Sequence, residues 1–481
     1  MLYLIVCTIL LAVMCQSVSS ASVDYTSQVS AQGDRLPDFS FCGYHSSNDA
    51  LPSIFSVVTT TLSPGSGDQA PRIQKALNNI ASAGGGVLLL TAGNYTVDTS
   101  LIIPSGVVLR GAGTTKTILL PQSGASTFIT MGMAAAPPII TPATNITDTY
   151  VGVGAKTFRV VSSSKLSVGQ TVMVQRAVTD AWVRQNGMAD LVRSGVAQTW
   201  LAVGTLVQQP RKIMNISGSQ ITIDVPLTDS LNSKYMHSQV ATYTFPSGSS
   251  EMGVEDLGIT LLPSCTGAAI SDDTCNGNAI NISAYTTDSW VRSVNITGFN
   301  QFINSSPGAM RITIDSVSMY RDKATNSSSG YPADITIQGT QMLVTGCGTF
   351  ATSEATTFPI VVQNLTAGPN AVLDYYSQQS SFVISPHQRW AHGLLVEGSR
   401  SSISFGNRGT YGTGQGWTLN AGVAWNSNGS DIDIYSPPLG TNWCFGCRWI
   451  RSAGNGTFVD PSSTVQPQSL FQAQLAARGS N

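Results

Sequence analysis

The run DQAPRIQKALNNIASAGGGVLLLTAGNYTVDTSLIIPSGVVLRGAG, Asp68 to Gly113, reads as one short helix feeding a series of short strands. Asp68 suits a helix N-terminus, Pro71 falls in the first turn, and Ile73, Ala76, Leu77 and Ile80 recur at helical spacing to form one apolar face. After Gly84-Gly85-Gly86 come Val87 to Leu90, Leu101 to Ile103 and Val107 to Leu109, apolar runs of three or four residues separated by glycine. Runs that short are strands, and the glycines allow the corners between them. A one-sided helix followed by stacked short strands is how a chain enters a solenoid.

The same pattern, a helix, then GGGV-LLL-AGNY and L-IPSGV-L-GAG, resembles the N-terminal cap and first coil of the pectate-lyase-like superfamily. The resemblance implies an all-β, right-handed parallel β-helix with an N-terminal capping helix. It also implies a polysaccharide lyase or glycoside hydrolase, since these make up much of that superfamily. It covers about fifty residues closely and speaks to fold more than to reaction.

Composition agrees with a solvated strand surface. Only 10% of the 481 residues are charged, against roughly 25% in ordinary globular chains, and 46 are glycine. A formal charge of −2 offers no basic patch for nucleic acid. Leu2 to Cys15 is an apolar run of signal-peptide length, followed by small polar residues to Ser20, and no later segment is long enough to span a membrane. A secreted chain is therefore expected. Sequons begin at Asn94, Asn145, Asn215, Asn281, Asn295, Asn304, Asn326, Asn364, Asn428 and Asn455, and all but Asn364 are expected to be available for glycosylation. Cys265 and Cys275 flank a short loop and are expected to form a disulfide. Cys444 and Cys447 form a lone C-x-x-C without the second pair a zinc site needs, so a structural disulfide is the better reading.

The chain divides into a signal peptide (1–20), a lead-in segment (21–66), the cap and first coils (67–147), an inserted β-rich subdomain (148–250), the main β-helix (251–460) and a C-terminal capping segment (461–481). Within the main β-helix Ile314, Ile337, Ile360 and Val383 lie 23 residues apart, which predicts stacked equivalent positions. In the insertion, Asp180, Trp182 and Trp200 are candidates to overhang a substrate groove, alongside the plainer role of packing its core.

The densest chemistry is Ser385-Pro-His-Gln-Arg-Trp-Ala-His-Gly393, which holds two of the four histidines. His387, Arg389 and His392 are catalytic candidates, with Tyr376 and Tyr411 as possible proton donors; Trp390, Arg408, Trp417 and Asp374 are candidate substrate-binding or orienting groups. Arginine pairs a uronate carboxylate, an indole packs on a sugar face, and histidine moves a proton near neutral pH. These types together predict β-elimination on a uronic-acid-containing polysaccharide. The competing reaction, glycoside hydrolysis, needs two carboxylates roughly 5–9.5 Å apart. Asp272, Asp273, Asp315, Asp322, Asp334, Glu354, Asp374 and Glu397 are its candidates. A non-catalytic glycan-binding β-helix is the third possibility. The residues require no cofactor; the resemblance admits calcium, although no aspartate cluster of the pectate-lyase kind is visible as a motif. The expected partner is a polysaccharide, and oligomeric state is left open.

Overall fold

The computed structural model describes residues 20–53, 58–133, 135–246, 248–265, 273–324, 332–352, 355–461 and 463–479. Helix α1 (Ala70–Ser82) buries Ile73, Leu77 and Ile80 against the first coil, and the Asp68 carboxylate accepts the Ala70 N–H at 2.9 Å. Gly85 lets α1 pass straight into the strand that follows it: its φ is +103°, and a Cβ there would lie 2.6 Å from the Gly106 carbonyl oxygen. From that strand (Gly86–Leu90) the chain coils. Leu109, Val254, Val291, Ile314, Val344, Val372, Val396, Ala424 and Cys444 stand in parallel register on successive coils, none more than 1% exposed. Each rung adds an apolar side chain to one continuous core.

A second parallel sheet, from Leu101–Ile103 to Phe358–Val362, closes another side of the coils. The architecture is thus the expected all-β parallel β-helix with an N-terminal helix and a β-rich insertion.

The 23-residue register does not hold. Ile314 stacks between Val291 and Val344 on the first sheet, whereas Ile337 pairs with Val362 and Ile335 with Ile360 on the second. The turns differ in length from coil to coil, so equal spacing along the chain is not equal height in the stack.

The insertion is a six-stranded antiparallel sheet that begins at Ile140–Asn145, earlier than expected, and ends at Ser238–Tyr243. Its first strand reads ITPATN and lacks an alternating pattern that would announce it. A short helix, α2 (Asp180–Gln185), lies within it.

The C-terminal helix α3 (Leu470–Gly479) does not sit on the end of the coils. Leu470 and Phe471 join Leu395, Val423, Trp425 and Phe445, the outward-facing residues of the first sheet, and Val23, Leu36 and Phe39 of the lead-in cover the same surface. Gln474 ties helix to lead-in by accepting from Phe39 N–H and donating to the Pro37 carbonyl, both at 2.9 Å. The alternate residues of this sheet are apolar on both faces, and such a sheet needs cover outside as well as in.

Both cysteine pairs, Cys265–Cys275 and Cys444–Cys447, are disulfides, while Cys42 and Cys347 are free and buried. Among the described residues no helix is long and apolar enough to cross a membrane. The expected signal peptide lies, but for Ser20, outside the described residues, as do Asn326, Asp272 and Glu354.

Candidate active site

The Ser385–Gly393 segment runs from the short strand Val383–Ile384 to the first-sheet strand Leu394–Glu397, and the insertion docks on it. Its residues divide into two groups. Trp390 is 1% exposed and packs with Trp182, Trp200 and Trp417 in one cluster; Trp182 and Trp200 are stacked at 5.0 Å. The Trp390 indole donates to Asp229 at 2.7 Å, and Asp229 is paired with Arg176 at 2.5 Å. His392 is also 1% exposed and meets the Thr228 hydroxyl through Nδ1 at 2.8 Å. Burial lowers the His392 pKa to about 4, with Asp229 opposing and Arg211 and Arg176 reinforcing the shift. These findings correct the expectation for Trp390, Trp417, Trp182, Trp200 and His392. They join insertion to coil and are closed to a substrate, because a large aromatic surface at that junction is stabilised by being buried. Asp180 is exposed and paired with Arg184.

The second group faces outward. His387 is half-buried, with Nε2 at 3.1 Å from the Gln415 side-chain nitrogen. Burial, then the charges of Arg408 and Arg389, lower its pKa to about 4, so its imidazole is neutral at pH 7. Arg389 spends its donors on protein: Nε on the Trp200 carbonyl at 2.7 Å, and Nη2 on the Thr413 carbonyl and hydroxyl at 2.8 and 2.7 Å. Those bonds commit Arg389 to the protein rather than to the carboxylate expected of it. Arg408 is half-buried, burial depresses its pKa, and among the described residues it forms no ion pair. Tyr411, 68% exposed, acts on Arg408 electrostatically.

Asp374 and Tyr376 are elsewhere. Both follow the strand Asn370–Leu373, at the corner away from the His387 turn. Among the hydrolase candidates, Asp334 is fully buried and bonded to Arg321, Thr349 and Thr357, and Glu397 is buried and accepts the Phe471 N–H of α3 at 3.0 Å. Asp315 and Asp322 are bonded to the Ser316 and Ser264 hydroxyls. Among the described residues no three His, Cys, Asp or Glu side chains converge as a metal-holding group.

Sequence reasoning missed the cleft beside this turn. Two adjoining cavities, of about 580 and 470 Å³, separate the inserted sheet from the coils and share Pro210, Tyr243, Phe245 and Met310. Tyr243, Phe245 and Tyr285 make an aromatic wall, with ring centroids 6.3 and 5.8 Å apart. The alternation Tyr243-Thr-Phe245 was the available signal. Arg211 Nε and the Tyr243 hydroxyl, both buried there, have no hydrogen-bond partner among the described residues. Asn364 and Leu365 line the smaller cavity, and the Leu365 N–H donates to the Arg389 carbonyl at 3.0 Å, so the cleft ends one rung below the His387 turn.

His45 also lines the cleft, beside Lys212, Asp224, Asp288 and Arg311, and its two ring nitrogens meet Asp49 at 2.7 Å and Glu251 at 2.8 Å. Burial works against its charge, but those two hydrogen bonds prevail and raise its pKa. The two carboxylates favour the protonated form of His45.

No protein-family profile matches the chain. A search of curated proteins likewise finds no match. Solved structures do. A tailspike protein double mutant of E. coli bacteriophage HK620, in complex with a pentasaccharide, aligns at 10% identity and a TM-score of 0.39 over 81% of this chain and 55% of its own. The tailspike of Acinetobacter baumannii bacteriophage AP22, with a capsular saccharide, aligns at 9% identity and a TM-score of 0.26 over 82% and 71%. The mannuronan C-5 epimerase A-module of Azotobacter vinelandii aligns at 9% and 0.25 over 85% and 97%. The fold assigned above rests on the strand register of this chain itself.

Proposed function

We propose that the protein is a secreted polysaccharide lyase that holds an acidic glycan in the cleft between insertion and coils and cleaves it by β-elimination at the His387 turn. The observation that carries this reading is His387 itself: a neutral, half-buried imidazole beside Arg408, a cation with no carboxylate paired to it among the described residues. Elimination from a uronide needs a base for the proton on the carbon bearing the carboxylate, and a cation that stabilises the charge developing there. His387 supplies the first and Arg408 the second. Tyr411, whose charge acts on Arg408, returns a proton to the departing oxygen. Phe245 and Tyr285, the half-buried rings of the aromatic wall, pack on sugars leading to the site, and Arg389 holds the turn in place through Trp200 and Thr413. The leader-like N-terminus, the sequons and two disulfides suit an extracellular setting.

Replacing His387 by Ala tests the assignment. Loss of a general base lowers kcat by about 10²- to 10⁴-fold, and Arg408→Gln lowers kcat/KM on a uronide while leaving the melting temperature near that of the parent. Unchanged turnover in His387→Ala would remove the reading.

A further inference from the structure

The corner that follows the first-sheet strands carries a different chemistry. Tyr320 and Phe350 pair on adjacent coils with rings stacked at 5.1 Å, and Tyr376 on the next coil, in register with Gly348, lies tilted against Phe350 at 5.7 Å. The ladder then continues without its aromatics: Tyr376 is bridged to Arg400, Arg400 to Asn428, and Asn428 pairs with Arg448. Tyr320 and Tyr376 are 37% and 40% exposed, and Arg400, Asn428 and Arg448 are exposed as well. Beside them runs an open groove of about 460 Å³, lined by both arginines together with Gln378, Ser430 and Trp449, and no acidic residue among the described residues lines it. In a chain with 24 basic and 26 acidic residues, two arginines without an acid are a local departure. Neither arginine is ion-paired among the described residues, whereas their neighbour Arg451 is held by Asp431 at 2.7 Å.

We propose that this stripe is a second binding surface, on which an anionic polysaccharide lies along the coil axis. Tyr320, Phe350 and Tyr376 pack on sugar faces, and Arg400 and Arg448, two rungs or about 10 Å apart, pair with carboxylates or sulfates of the chain. The strand Leu394–Glu397 separates the stripe from the His387 turn, so polymer held here is tethered beside the cleft and is not itself being cleaved. The inference shares with the lyase reading only the acidic polymer; it does not depend on cleavage. It also bears on Asn428, whose expected glycan would occupy the groove: the surface requires Asn428 to be unmodified.

Binding is read on the full chain carrying His387→Ala, by affinity electrophoresis in gels containing polygalacturonate, dextran sulfate or neutral dextran. Retardation by polygalacturonate assigns the carboxylate and by dextran sulfate the sulfate, with neutral dextran inert. The pair Arg400→Gln with Arg448→Gln weakens the interaction about tenfold and flattens its salt dependence. Tyr376→Ala weakens it about fivefold, and the already paired Arg451→Gln changes it little. Equal retardation of the double variant and its parent overturns the proposal, as does absence of retardation by either anionic polymer, or a glycan found on Asn428. Retardation in a protein whose parent cleaves nothing would retire the lyase reading and leave this one standing.

Discussion

At the scale of single residues, His387 and His392 look alike in sequence and end in different places. Both pKa values fall to about 4 because burial penalises the imidazolium. For His387, whose neutral form is the proposed base, kcat/KM should rise as pH increases through about 4 and then level toward neutrality. A pH-rate profile whose acid limb sits near the ordinary histidine value of 6.5 would not agree with that site. For His392 the consequence is stability. Its folded pKa lies below its unfolded value, so the unfolded chain takes up the proton first, and stability is lost as pH falls from 6.5 to about 4. The loss is on the order of 3 kcal/mol. Urea titrations at pH 7 and pH 4 should show a smaller difference for His392→Asn than for the parent. The sequence displayed both histidines but not which would be covered, since the groups that bury His392, among them Thr228, come from the insertion.

At the scale of elements, the insertion is what sequence periodicity could least describe. Helix α1 and the first strands were legible because Ile73, Leu77 and Ile80 mark a helical face and glycines separate short apolar runs. Stacking height was not, because the turns between Val254, Val291, Ile314 and Val344 differ in length. Nor was the docking of the inserted sheet, where a conspicuous tryptophan in a polar string turned out to be an anchor. Arg176, Asp229 and Trp390 form that anchor: the carboxylate serves a buried guanidinium and a buried indole together. Asp229→Asn leaves Arg176 without its counter-charge and should destabilise the fold by about 3–5 kcal/mol in chemical denaturation. A loss under about 1 kcal/mol would mean the junction is held mainly by the aromatic cluster.

At the scale of the whole molecule, the coils supply rungs and the insertion supplies the wall that turns one flank into a cleft. Glycans attached to the protein itself must leave that cleft open. Asn94, Asn145, Asn215 and Asn455 are exposed and stand outside it, whereas exposed Asn364 lines it. Mass spectrometry of secreted protein should find glycans among the former and none on Asn364; a glycan on Asn364 would obstruct the proposed path of the polymer. The most direct measurement is of the reaction. Purified protein and its His387→Ala variant are incubated with a panel of acidic polysaccharides, following ultraviolet absorbance of unsaturated uronides and new reducing ends in parallel. β-Elimination at the His387 turn predicts that both signals rise together with the parent and that both are lost in the variant. Reducing ends without absorbance, or absorbance undiminished by His387→Ala, would contradict it.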